Sequence, residues 1–163
     1  MFINQLQLWN FRNYAALEIE PVDGINVLYG KNAQGKTNLL EALYCSALGK
    51  SHREKRDVEL IRWGAKAGRI LAQIRREDRQ CSIETRLMEN GKKSMLIDGV
   101  PILRRMDLMG ALMVVLFHPG DLSLIKDGPV FRRRYLDMVL CQVKPSYLHD
   151  LQIYGQALKQ RNH

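Results

Sequence analysis

Cysteine is scarce in this 163-residue chain: Cys45, Cys81 and Cys141 are dispersed and odd in number. That excludes a disulfide framework, and no Cys/His spacing suggests zinc. Each of the three sits within an apolar pattern, so buried free thiols in a reducing compartment are expected. Long apolar runs are missing too, and no stretch is apolar enough to span a bilayer. The chain opens directly on a strand pattern with no leader-like segment, and a cytoplasmic location is the expectation. Internal repeats and low-complexity tracts are absent. Acidic residues are in deficit, 17 against 25 Lys and Arg, for a net charge of +8. That balance fits a nucleic-acid partner. A solvated basic surface, or a piece of a protein whose acidic half lies elsewhere, fits it as well. At 46% hydrophobic residues the length supports one domain with a real core.

What is present is a complete G-x-x-x-x-G-K-T pattern, Gly30-Lys31-Asn32-Ala33-Gln34-Gly35-Lys36-Thr37. It follows a predicted strand, Ile25 to Tyr29, and opens a predicted helix, Asn38 to Leu48. That context turns a short pattern into a phosphate site. A triphosphate must exchange water for many N–H donors and a cation. Gly30 and Gly35 permit the backbone turns and the close approach. Successive N–H groups then form an anion nest, reinforced by the helix N-terminus. Lys36 is expected to reach the β- and γ-phosphates, and the Thr37 hydroxyl to ligate Mg²⁺, a hard cation that prefers oxygen. Leu40, Leu43 and Ala47 are read as the inward helix face, with Gly49 as its terminal cap.

Around this unit, Phe2 to Trp9 and Tyr14 to Glu20 read as a hairpin joined by Asn10-Phe11-Arg12-Asn13. Lys50 to Arg56 is a charged connector, and Val58 to Trp63 a short apolar segment with a helical turn. Strands are expected around Ile70 to Arg75, Cys81 to Arg86 and Ser94 to Ile97, with turns at Asn90-Gly91 and Asp98-Gly99. Ile102, Met106, Met109 and Met113 recur at helical spacing. Val114 to Phe117 reads as a buried strand ending at Pro119-Gly120. Asp127-Gly128-Pro129 starts a helix to about Val143. A last helix follows Pro145, with a stripe of Tyr147, Leu151, Tyr154 and Leu158, and carries no stop signal before His163.

Hydrolysis of a nucleotide needs a carboxylate at the end of another core strand. The run Met113 to Phe117 ends in His118-Pro119. Met95-Leu96-Ile97 ends in Asp98, but Gly99 follows at once and favours a hairpin turn. No serine- and glycine-rich signature of the ABC type is present. The chain therefore carries a grip on ATP without an evident means of cleaving it. A small P-loop kinase would need a substrate lid and an acidic base, neither of which is visible. An inert ATP-binding fragment is the other alternative.

Several stretches together are more specific than the loop alone. They are Leu8-Trp9-Asn10-Phe11-Arg12-Asn13-Tyr14, the loop through Thr37-Asn38-Leu39-Leu40-Glu41-Ala42, Gly49-Lys50-Ser51-His52-Arg53, Asp127-Gly128-Pro129 with Arg132-Arg133-Arg134-Tyr135-Leu136-Asp137, and Leu158-Lys159-Gln160-Arg161-Asn162. From Ile3 to Asn162 the chain resembles the N-terminal part of the RecF family, bacterial DNA-repair ATPases related to SMC proteins and ABC ATPases. The resemblance implies an α/β P-loop NTPase lobe of the ABC/SMC type over residues 1–128. An antiparallel β subdomain at about 69–100 and the start of a truncated helical lobe at 129–163 complete the expected organisation. It implies ATP and Mg²⁺ as cofactors and a slow, switch-like ATPase in the whole protein. It also implies an ATP-dependent homodimer, binding to single- and double-stranded DNA at gaps, action with RecO and RecR in loading RecA, and a tie to the SOS response. Where the family pattern has an acidic residue after Pro119, this chain has Gly120.

Arg12 and Asn13 fall on a turn that, by the resemblance, lies against the nucleotide; Arg12 would meet a phosphate and Asn13 the loop. A plain polar turn is the alternative. Ser51, His52 and Arg53 are candidates for DNA or partner contact. Arg75, Arg76, Arg86, Lys92 and Lys93 could form a phosphate-facing surface on the β-rich region. Arg132, Arg133 and Arg134 fan over ~200–300° of their helix, and Asp137 is close enough to pair with one of them. Trp9 and Trp63 are expected in core or interface.

Overall fold

The computed structural model describes residues 1–76, 79–122, 126 and 128–162. The chain divides into two compact units, Met1–Arg105 and Met106–His163. In the first, period-2 alternation builds one antiparallel sheet. Its strands are β1 (Phe2–Phe11), β2 (Tyr14–Ile19), β3 (Ala67–Arg76), β4 (Arg79–Met88), β5 (Lys93–Ile97) and β6 (Val100–Ile102), in the order β2-β1-β3-β4-β5-β6. The stretch expected as a β subdomain is continuous with the N-terminal hairpin, because β3 pairs along β1 from Phe2↔Arg75 to Trp9↔Arg69. Alternate residues of neighbouring strands, Leu6 and Leu8, Ile70, Ala72 and Ile74, Ile83 and Leu87, are buried on one face.

Helix α1 (Lys36–Leu48) packs against that sheet through Leu39, Ala42 and Cys45, which join Leu6, Leu8, Phe11, Leu60, Ile70, Ala72 and Leu87 in the core. The inward face is therefore rotated from the expected one. Ala47 is buried, but Leu40 is 41% exposed. The reason is Glu41. Hydropathy places a carboxylate outside, yet Glu41 is fully buried. Gly49 closes the helix as expected, with φ 62° and its N–H donating to the Cys45 carbonyl at 2.8 Å.

Glu41 is tolerated because Arg12 meets it with a fork. Arg12 Nε donates to Oε2 at 2.9 Å and Nη2 to Oε1 at 2.8 Å. Nη2 also donates to Glu54 at 3.0 Å, and Nη1 to the Glu59 carbonyl at 2.8 Å. The Ser51 hydroxyl donates to Oε1 at 2.5 Å and accepts the N–H groups of Arg53 and Glu54, each at 2.9 Å. One buried carboxylate thus ties the β1–β2 turn, α1 and the charged connector together. Burial pushes the Glu41 carboxyl up. The hydrogen bonds from Arg12 and Ser51, with the Arg12 and Arg53 charges, outweigh it and hold it below the ordinary 4.5.

Two expected strands do not form. Residues 25–29 belong to no ladder, with Ile25 90% and Tyr29 91% exposed. None of the six strands of the sheet pairs with 25–29, so the pattern there finds no partner among the described residues. Residues 114–117 are likewise unpaired, with Phe117 80% exposed. There the Gln142 side chain supplies what a neighbouring strand would: its Oε1 accepts the Val114 N–H at 2.7 Å and its Nε2 donates to the Val114 carbonyl at 3.1 Å. The methionine-spaced helix is also absent. Ile102 ends β6, a single 3-10 turn covers Arg105–Leu108, and Gly110 follows at φ 83°. The 3-10 turn at Asp57–Leu60 is the helical turn expected after the connector.

In the second unit, α2 (Pro129–Val143) has its proline in the first turn, and α3 (Pro145–Arg161) follows Lys144 directly. Asp127, expected to precede α2, lies outside the described residues. The Tyr147 hydroxyl donates to Asp137 at 2.7 Å, linking the two helices. Arg132, Arg133 and Arg134 are all exposed. On α3, Tyr147, Leu151 and Leu158 are half-buried, but Tyr154 is exposed.

Arg12→Ala strands the Glu41 charge and is expected to cost about 3 kcal/mol in urea unfolding at neutral pH. Because the folded Glu41 titrates below its ordinary 4.5, its contribution is complete above that pH. It is lost as pH falls through the folded value. Glu41→Gln should therefore flatten the acid limb of stability against pH, and an unchanged limb would contradict the assignment. The Cys45 thiol is pushed up to about 12, by burial first and the Glu41 charge next. It should resist alkylation at about pH 8 in the folded chain and react once urea exposes it, as read by mass spectrometry.

Candidate nucleotide-phosphate site

The loop from Gly30 to Thr37 turns on three positive φ values: 143° at Gly30, 64° at Ala33 and 103° at Gly35. Glycine adopts such angles freely. Ala33 does so at about 1–2 kcal/mol. Gly35 is held by space as well as angle. A Cβ there would lie 2.7 Å from both Asn13 Oδ1 and the Tyr14 hydroxyl. The β1–β2 turn therefore packs directly against the loop. The Asn13 amide donates to the Gln34 carbonyl at 3.1 Å and accepts from the Asn38 amide at 2.9 Å. Arg53 Nη1 extends this chain to Asn38 Oδ1 at 3.3 Å.

Helix α1 starts at Lys36 with Gly35 as its cap, no side-chain cap and no acidic residue in the first turn. The positive end of the helix thus faces the loop without a competing anion. The Lys36 ammonium arches back, donating to the carbonyls of Gly30 at 2.7 Å and Lys31 at 2.6 Å. This sets the charge over the loop's concave side. Lys31, Asn32, Ala33, Gln34 and Thr37 are exposed around it. A glycine-turned loop at an uncapped helix start, with one ammonium and one exposed hydroxyl beside it, has the donor types that a polyphosphate requires.

The other candidates separate. Arg12 is engaged by Glu41, Glu54 and the Glu59 carbonyl, with its side chain only 16% exposed. Its geometry is that of a brace. Ser51 is buried on Glu41, and the His52 ring lies edge-on to Tyr44 at 5.2 Å. All three connector residues contact α1, and Arg53 is the one that reaches Asn38 in its first turn, next to the loop. Arg75 stacks over the Phe2 ring at 4.5 Å and Arg76 is exposed beside it, at one end of β3. Lys92 and Lys93 lie at the opposite end of β4, about 30 Å away at ~3.3 Å per residue. The sheet does not bring the two pairs together. Lys93 is occupied, donating to the Gly49 carbonyl at 2.6 Å and to Asp57 at 2.9 Å. Arg86, with Arg69, pairs with Glu84.

Asp98 is the turn residue the sequence suggests: at φ 50° it accepts the Ser82 N–H at 2.7 Å. Gly120 has a steric reason. A Cβ there would lie 2.7 Å from the His118 ring, whose Nδ1 accepts the Gly120 N–H at 2.9 Å, while Asp121 accepts the His118 N–H at 2.7 Å. Sequence reading missed Glu41 and Glu54. The available signal was the acidic residue set among Leu39, Ala42 and Cys45. Neither tryptophan is in the core: Trp9 and Trp63 are both exposed.

Residues 5–113 match the family model described as an AAA domain. The DNA replication and repair protein RecF of Lachnoclostridium phytofermentans is 46% identical over 162 residues, covering 99% of this chain and 45% of that protein. RecF of Bacillus cereus strain G9842 is 45% identical over 163 residues, covering all of this chain and 43% of the relative. The chain thus spans less than half the length of these relatives. Among solved structures, that of the recombination mediator protein RecF with ATP superposes with a TM-score of 0.89 at 33% identity, over 99% of this chain and 43% of that one. An SMC head domain from Pyrococcus yayanosii gives a TM-score of 0.70 at 25% identity, over 98% of this chain and 37% of that one. The fold is accordingly that of a P-loop NTPase head of the RecF and SMC type. The relatives and the superposition run along nearly the whole chain and the family model along residues 5–113, so the chain belongs to the AAA domain family as a RecF-like member matching the N-terminal part of its relatives.

Proposed function

We propose that this chain is the nucleotide-gripping part of a RecF-like DNA replication and repair protein, holding ATP at Gly30 to Thr37. The observation that carries the reading is the Gly35 cradle: its angle and the 2.7 Å approach of Asn13 and Tyr14 leave room for no side chain. Lys36 supplies the cation to the phosphates. The Thr37 hydroxyl is the oxygen of this loop that would hold Mg²⁺. When bound, Mg²⁺ neutralises phosphate charge. The chain's own part is to orient the phosphates with backbone N–H groups and Lys36. Its role is to bind ATP, and turnover belongs to the whole protein.

In the cell this part serves a cytoplasmic ATP switch. ATP brings two copies together on single- or double-stranded DNA at gaps. The protein acts there with RecO and RecR to load RecA, during repair, replication and the SOS response. The net charge of +8 supports the DNA partner, and the exposed Arg75 and Arg76 are candidates for its phosphates.

Lys36→Ala is expected to weaken ATP binding by about 10–100-fold, since a charge-assisted hydrogen bond contributes ~1.5–3 kcal/mol. Gly35→Ala should abolish it while the far-ultraviolet circular dichroism is retained. ATP affinity unchanged in Lys36→Ala would refute the loop assignment, and rapid ATP-dependent phosphorylation of a small molecule would sink the repair reading. DNA affinity should fall steeply with salt, and Arg75→Ala/Arg76→Ala should reduce the log–log slope by about 2. Salt-independent binding would rule out a phosphate-led contact.

A further inference from the structure

Trp63 is 99% exposed, although the sheet and α1 offer a core that takes Phe11 and Leu60 completely. A full indole left in water forgoes the burial of roughly 150–250 Å² that usually repays so large a side chain. The backbone that leads into it is nevertheless anchored. The backbone just before it is stitched to the β1–β2 turn: Arg12 N–H donates to the Leu60 carbonyl at 2.8 Å, and Arg62 N–H to the Asn10 carbonyl at 2.9 Å. Phe11 and Ile61 form a β-bridge between these two bonds. The same turn carries Asn13, which holds the Gln34 carbonyl of the phosphate loop. Trp63 and the loop are thus mounted on one rigid hairpin corner.

Between them lies a concavity lined by Arg12, Asn13, Asn38, Arg53, Val58, Glu59, Ile61 and Trp63. Its chemistry is divided. Val58, Ile61 and Trp63 give an apolar wall, the Glu59 carboxylate is engaged by Arg56, and Asn13, Asn38 and Arg53 supply amide and guanidinium groups at the side next to the loop. A flat heteroaromatic ring with polar edges suits that division. The polar side adjoins Asn38, the residue after Thr37, so the concavity continues the phosphate site along the surface.

We infer that Trp63 is the stacking platform for the base of the nucleotide whose phosphates sit on Gly30 to Thr37. The inference rests on the proposed ATP site and assigns the base a named side chain. A base stacked on Trp63 with its phosphates on the loop makes two separate contacts, so each can be removed alone. Stacking tolerates any base, because every base has a π-face, so the platform adds affinity without choosing strongly among nucleotides.

The test uses the whole chain and two probes, ATP and inorganic tripolyphosphate, by isothermal titration. Trp63→Ala should weaken ATP about tenfold, in the range of base–aromatic stacking, and leave tripolyphosphate affinity unchanged. Trp63→Phe should restore most of the loss. In a Trp9→Phe background, ATP should quench the remaining indole fluorescence and tripolyphosphate should not. Unchanged ATP affinity in Trp63→Ala, with Lys36→Ala still impaired, would overturn the platform and leave the phosphate site standing. Equal loss of both probes would overturn it too, by assigning Trp63 to the fold. Weakened binding of a single-stranded oligonucleotide with ATP affinity intact would move the stacking partner to nucleic acid and refute the inference. Failure of the unaltered chain to bind either probe would remove the phosphate site and the inference with it.

Discussion

The architecture of this lobe depends on burying one carboxylate. Glu41 has no exposed surface, and a lone carboxylate in that position would be untenable. Arg12 answers it with two parallel bonds from a rigid planar fork, which lysine could not reproduce. Everything near the phosphate loop is then positioned by default. The fork fixes the β1–β2 turn against α1, the turn brings Asn13 to the loop, and Ser51 draws the connector onto the same oxygen. A buried pair of this kind is weak as a source of stability but strict as a specification of geometry, because its alternatives leave a charge stranded.

The strict part lies beside a strained part. Ala33 sits at a left-handed φ, and the loop hydrogen-bonds its own lysine through Gly30 and Lys31 and the β1–β2 turn through Gln34. Strain of that kind persists where surrounding structure holds it, and here the holding structure is the Asn13–Asn38–Arg53 chain of amide and guanidinium bonds. The connector, separated in sequence from the turn by β2, the phosphate loop and α1, is in this way part of the loop's support.

How much of this the sequence revealed follows from which interactions are local. The loop, the cap at Gly49, the turn at Asp98 and the alternation of Ile70, Ala72 and Ile74 depend on neighbours in the chain, and all were legible. The inward face of α1 was misread because the Glu41–Arg12 pair spans 29 residues, and hydropathy cannot anticipate a charge neutralised from so far away. The unpaired segments at 25–29 and 114–117 carry sound strand patterns, but a strand exists only when another lies beside it, and pattern does not supply a neighbour. Lys93 looked like a surface cation. Its occupation by the Gly49 carbonyl and Asp57 depends on β5 passing the end of α1, a tertiary fact. Of the core or interface expected for Trp63 the core is excluded, since apolar character does not guarantee burial.

The Lys36 ammonium already has two carbonyl partners, at 2.7 and 2.6 Å. An incoming phosphate therefore does not find an idle charge. It competes for, or joins, an ammonium that has three donors and two of them committed. Entry becomes a partner exchange: the poorer the anion, the less it can displace, and a weakly charged oxyanion gains little from the loop. On the proposed phosphate reading, discrimination between a polyphosphate and monovalent anions would rest on the carbonyl contacts of this one side chain.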